Sequence, residues 1–170
     1  SEFPACAVAH GAKLCVRSTR GERMVAAGDF FTGVYATALD GDEMLVRVDV
    51  PALPPHSGTA FIEIARRRGD YPIAGVAAIV VLDAAHRCID ARVALCGVGS
   101  TPVALAGPRN SLAGERGTDA ALRAAAASID AEIDPHSNVH ATGAYRRHVA
   151  AVLVRRALAA AFTRAEGVNA

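Results

Sequence analysis

The stretch "FIEIARRRGDYPIAGVAAIVVLD", Phe61 to Asp83, decides how the chain is read. Two apolar runs flank three consecutive arginines, a Gly-Asp pair and a tyrosine. On one side Ile62 and Ile64 alternate with Phe61 and Glu63, the period of a half-buried strand. On the other, Gly75 to Leu82 is apolar at every position, as a central strand covered on both faces should be. A solvated bend between two strands is one account of the charged corner. The other notes that cationic forks, a carboxylate, a glycine admitting close backbone approach and an aromatic face together suit a flat, partly anionic ring.

Moving outward, Cys88 to Cys96 reads as a third strand, with Ile89, Ala91, Val93 and Leu95 on one face and Asp90 and Arg92 on the other. "DAAHR" (Asp83 to Arg87) is short enough to join it to the central strand as a hairpin. These runs predict a three-stranded antiparallel sheet. Upstream, "EMLVRVDVP" predicts a strand with Val46, Val48 and Val50 facing one way and Arg47 and Asp49 the other, ended by Pro51. "KLCVRS" predicts another, preceded by a short helix over Pro4 to Ala9 that stops at Gly11. "PALPPHSG" (Pro51 to Gly58) stiffens an irregular connection and divides the chain into units at 1–55 and 56–170.

Beyond the strands the period changes. Thr118 is placed to cap a helix whose stripe is Leu122, Ala125, Ala126, Ile129 and Ile133, and "DPHSN" (Asp134 to Asn138) breaks it. A long alanine-rich helix follows from about His140 to Arg164. Its Arg146-Arg147 and Arg155-Arg156 pairs lie two and a half turns apart and point to opposite sides, so there is no single basic stripe. Strands first and helices last predict an α+β fold, the carboxy-terminal helices covering one face of the sheet.

Composition narrows the function. The 170 residues are 52% hydrophobic with a formal net charge of +1, enough for a sizeable core and against a nucleic-acid partner. Lys13 is the only lysine, and the absence of Trp argues against a base-stacking platform. The cysteines Cys6, Cys15, Cys88 and Cys96 form no CxxC pair, and no signal peptide is visible, which reads as reduced thiols in a cytoplasmic protein. The longest apolar run, Ile73 to Leu82, is far short of the ~20 residues that span a bilayer. His136, His140 and His148 lack a nearby thiol, so no metal centre is expected. No GxSxG elbow, P-loop or GxGxxG fingerprint is present, and no two glycines are adjacent.

Three separated blocks, "DFFTGVYATALDGDEMLVRVDVP", "AFIEIARRRGDYPIAGVAAIVVLD" and "HATGAYRRHVAAVLVRRAL", resemble in order the FAD-binding medium subunit of molybdenum hydroxylases, the family of carbon monoxide dehydrogenase and xanthine dehydrogenase. The resemblance implies an oxidoreductase subunit in which FAD receives electrons from an iron–sulfur subunit, itself fed by a molybdenum-cofactor subunit, and passes them to an acceptor. It implies that Leu45 lies against the isoalloxazine, that Asp70 and Tyr71 flank the ring, and that Arg67 matches the family's recurrent arginine. Residues 1–55 then correspond to the carboxy-terminal part of the second flavin-binding subdomain and 56–170 to the carboxy-terminal α+β domain. Tyr145-Arg146-Arg147 would begin the family's structural helix.

Two departures accompany the resemblance. The family's amino-terminal FAD domain, with loops of the A-G-G-x-[ST] kind for the pyrophosphate, has no counterpart in this sequence. The chain is therefore expected to be a carboxy-terminal fragment that by itself binds FAD weakly or not at all. Arg109-Asn110 stands where the family often carries a glutamate. Two readings follow: part of an FAD electron-transfer subunit, or a cofactor-free scaffold that docks onto partner subunits.

Overall fold

A computed structural model describes residues 2–67 and 69–167. The chain opens with helix α1 (Glu2–His10). Gly11, at φ +64, ends it: its amide returns to the Val8 carbonyl while Ala12 returns to Ala7, which satisfies two carbonyls of the last turn. Strands β1 (Lys13–Ser18), β2 (Gly21–Ala26) and β5 (Met44–Asp49) form one antiparallel sheet in the order β2-β1-β5. Between them lie the short helix α2 (Ala27–Phe30) and a small ribbon of β3 (Phe31–Gly33) and β4 (Ala36–Thr37). Leu14, Val16, Val25, Ala27 and Phe30 make the core of this part.

After the proline-rich connection comes the main sheet, in the order β6-β7-β8-β9: β6 (Ser57–Ile64), β7 (Ala74–Leu82), β8 (Cys88–Cys96) and β9 (Val103–Leu105). All pairs are antiparallel. The sequence reading gave three strands; the fourth is only three residues long, too short to show a period. The hairpin at 83–87 is as read, with Asp83 and Arg87 exchanging the closing bond and His86 in the left-handed region.

One face of this sheet carries α3 (Gly107–Leu112), α4 (Asp119–Ser128) and the long α5 (Gly143–Ala165). Thr118 caps α4 by accepting from the Ala121 amide, and every residue of the expected stripe is buried. The long helix starts later than the sequence suggested, because Thr142 rather than His140 supplies the cap, accepting from Tyr145. Its alanines have a packing reason. Ala150, Ala157 and Ala161 are fully buried, and at Gly58 of β6 a Cβ would collide with the Ala161 carbonyl. Only small residues allow the helix so close to the sheet.

The other face is covered by α1, not left to solvent. Ala5 and Ala9 pack with Ala77, Ile79, Ala94 and Cys96 in a second, smaller core. The expectation of helices on one face alone is thus corrected: β7 is buried at all nine positions because helices lie on both sides. Among the described residues no helix is long and apolar enough to cross a membrane.

Candidate functional site

The charged corner leaves β6 at Ile64 and returns at Ala74. Gly69, at φ +87, and the bond from the Asp70 amide to the Arg67 carbonyl (3.2 Å) turn the chain, and the Ile73 amide reaches back to Ile64 (2.8 Å). Among the described residues nothing covers the turn: Tyr71 is 78% exposed, and Asp70 and Arg67 are exposed beside it. Asp70 and Tyr71 line a cavity of about 500 Å³ with Arg66, Gly97, Ser100, His136, His140 and Arg146 among its walls.

Leu45 sits elsewhere. Together with Phe3, Leu14, Phe31, Val48 and Val50 it lines an apolar groove of about 550 Å³ beside α1. A strict alternation along β5 would put Leu45 opposite Val48. A register shift corrects this, since Val16 pairs with Leu45 but Cys15 pairs with Arg47, so Val46 is the extra residue of a bulge. The bulge turns Leu45, Val48 and Val50 toward one groove, and the expected division of Val46, Val48 and Val50 from the other residues of the strand does not hold. All of β5 is exposed to solvent.

The structure therefore brings Asp70 and Tyr71 together and sets Leu45 in a separate hollow. A third hollow, of about 410 Å³, shares wall residues with both: Tyr71, Val34 and Gly99 with the first, Pro4 and Phe31 with the Leu45 groove. Arg67 lines none of the three. Several wall residues escaped the sequence reading. Tyr35 is 98% exposed with a positive φ of 55, a conformation that a non-glycine residue seldom holds in an ordinary turn. The Gly97-Val98-Gly99-Ser100 loop, which no sequence motif singled out, comes to line the same cavity as the arginine corner through the pairing of β7 with β8.

Arg146 anchors the cavity wall. Only 7% exposed, its Nη1 donates to the carbonyls of Ile73 (2.6 Å) and Gly97 (2.8 Å), and its Nη2 to Asn138 Oδ1 (2.9 Å). It ties the first turn of α5 to the ends of β7 and β8. His136 and His140 both lie ahead of α5 on the same cavity, so the four-residue spacing between them is not a helix face.

A sheet with helices on both faces, an exposed loop of mixed charge at one end and an apolar groove under a bulged strand define an α+β protein. Residues 59–161 match the family model described as CO dehydrogenase flavoprotein C-terminal domain, and residues 1–53 match the FAD binding domain in molybdopterin dehydrogenase. The chain belongs to the flavoprotein medium subunits of the molybdenum hydroxylases. It is 35% identical over 165 residues to the 6-hydroxypseudooxynicotine dehydrogenase complex subunit alpha of Paenarthrobacter nicotinovorans, covering 97% of this chain and 56% of that protein. Among solved structures, quinoline 2-oxidoreductase from Pseudomonas putida 86 is similar with a TM-score of 0.88 and 31% identity, over 99% of this chain and 57% of that one. Carbon monoxide dehydrogenase from Hydrogenophaga pseudoflava gives a TM-score of 0.89 at 31% identity, over 95% and 56%. The chain spans little more than half the length of the relatives it matches.

Proposed function

We propose that this chain forms the ring-facing part of an FAD-binding medium subunit, within a complex that passes electrons from a molybdenum-cofactor subunit through an iron–sulfur subunit to FAD and onward to an acceptor. The observation that carries the reading is the solvent-facing Tyr71, beside Asp70 on a loop that strand pairing holds at the end of the main sheet. An aromatic side chain left 78% exposed has no packing duty there and is available to a planar partner. FAD, when bound, would supply the capacity to take up electrons one at a time and pass them on singly or as a pair. The residues fit such a ring in kind: an aromatic face at Tyr71, a carboxylate at Asp70, a cation at Arg67 and an apolar groove at Leu45. They do not fit its pyrophosphate, for which the chain has no glycine-rich loop of the family's type. We therefore propose that the phosphate anchor lies on polypeptide outside these residues. The division into units at 1–55 and 56–170 belongs to the same proposal.

The absent phosphate loop also supports a second reading, in which the chain alone is a cofactor-free scaffold that docks onto partner subunits. Tyr71→Ala, made in a medium subunit complete with its flavin-anchoring half, distinguishes them. The expected result is an altered rate of flavin reduction and a shifted visible flavin spectrum, with stability changed by no more than about 0.5 kcal/mol because the side chain is exposed. A collapse in thermal stability with unchanged flavin behaviour would assign Tyr71 to packing and overturn the reading.

A further inference from the structure

Most arginines that meet a charged neighbour in this protein meet a carboxylate, as Arg23 does with Glu43 and Arg155 with Asp119. Arg66 and Arg146, which wall the 500 Å³ cavity, do not: among the described residues, neither has a carboxylate at ion-pair distance. Every acceptor that Arg146 uses is neutral, two carbonyls and an amide oxygen, and its Nε has no partner at all. A full positive charge is therefore more than nine-tenths buried with nothing to neutralise it, an arrangement that is costly unless an anion comes near.

Arg66, exposed to solvent, is a second cation on the same cavity. Its Nη1 lies 3.2 Å from His140 Nδ1. A guanidinium can only donate, so in this contact the imidazole nitrogen is the acceptor. Arg66 has no carboxylate at ion-pair distance among the described residues, and its charge is met by solvent. Around the two cations stand hydrogen-bonding groups of the right kind for oxyanion oxygens: the Ser100 hydroxyl, the Asn138 amide and the backbone of Gly97 to Gly99. Asp70, exposed, is the one carboxylate among the described wall residues.

We infer that this cavity binds a phosphate group. Two guanidinium groups on one cavity, one of them buried without a charged partner, favour a multiply charged anion such as phosphate, whose oxygens arginine forks match. The volume admits more than the phosphate alone, so the group is either free inorganic phosphate or the phosphate of a nucleotide. The assignment goes beyond the flavin reading and does not rest on it.

The test is amide NMR on the 170-residue chain, titrated with inorganic phosphate while sodium chloride holds the ionic strength constant. Saturable shifts are expected at Gly97, Gly99, Ser100 and Asn138, with a dissociation constant on the order of millimolar or below. Arg66→Gln, at an exposed position, should weaken binding roughly fivefold or more by removing a charge-assisted donor. Asp70→Asn, also exposed, should tighten it about threefold by removing a like charge from the wall. A parallel titration with ADP separates the sources: saturation of the same amides identifies a nucleotide's phosphate, and no response with ADP identifies the free ion. Shifts that drift without saturating, or an affinity that Arg66→Gln leaves unchanged, would overturn the assignment.

Discussion

Glu43 shows how single side chains set the stage for the candidate groove. Arg23 grips it with Nε (2.8 Å) and Nη2 (2.6 Å), and the Asp40 amide donates to it at 2.8 Å. The bonds from Arg23, then the one from Asp40, hold its carboxyl at about 2, well below the ordinary 4.5. This turn fixes the entry to β5 two residues before Leu45. A carboxylate so depressed contributes stability that is complete above the ordinary range and is lost as pH falls toward about 2. Thermal melts between pH 4.5 and 2 should therefore show a steeper decline for the native protein than for Glu43→Gln, which has no proton to take up. Parallel declines in the two proteins would mean that the Arg23–Glu43 grip contributes nothing. The cysteines behave as core residues at this scale: burial pushes Cys88 and Cys96 up to about 11, so their thiols stay protonated and unreactive.

At the scale of elements, local chemistry was legible wherever a cap, a breaker or an unbroken apolar run spoke for it. Thr118, the hairpin at 83–87 and the whole of β7 and β8 were readable because their signals lie within a few residues of one another. What escaped were the irregularities that need a partner strand. Ile89 was expected on the core face, yet it is 64% exposed, since Leu82 pairs with Cys88 while Val81 pairs with Asp90 and Ile89 is squeezed out of the ladder. The bulge at Val46 that redirects Leu45 is the same event in the smaller sheet. The start of α5 was misjudged by a few residues because both His140 and Thr142 follow the breaker, and only the hydrogen bond to Tyr145 picks out Thr142. Thr142→Ala should lower unfolding free energy by about 1 kcal/mol in denaturant titration, the usual loss for a helix cap. Thr142→Asn should restore most of it; a silent alanine variant would show that Arg146 and the core hold the helix start without the cap.

For the whole molecule, one family match ends at residue 53, in the connection after β5, and the other begins at residue 59, within β6, yet α1 packs on the main sheet. The outer face of that sheet is thus closed by the first residues of the chain, and Pro4, with Phe31, walls both the Leu45 groove and the hollow lined by Tyr71. Adding FAD to the purified 170-residue chain should give no bound flavin after desalting, because the sequence contains no glycine-rich loop of the family's A-G-G-x-[ST] kind for the pyrophosphate. Retention of stoichiometric yellow cofactor would show that ring contacts alone suffice and would refute the proposed location of the phosphate anchor. By itself the sequence determined the α+β class, the central strand, the helix capped by Thr118 and the family, since these depend on periodicity and on short motifs whose parts are adjacent in the chain. Tertiary structure alone decided the fourth strand, the helix on the second face, the direction of Leu45 and the meeting of Arg66, Arg146, Ser100 and Asp70 around one cavity. Those features come from strand register and long-range packing, in which residues many positions apart become neighbours and no local pattern records the encounter.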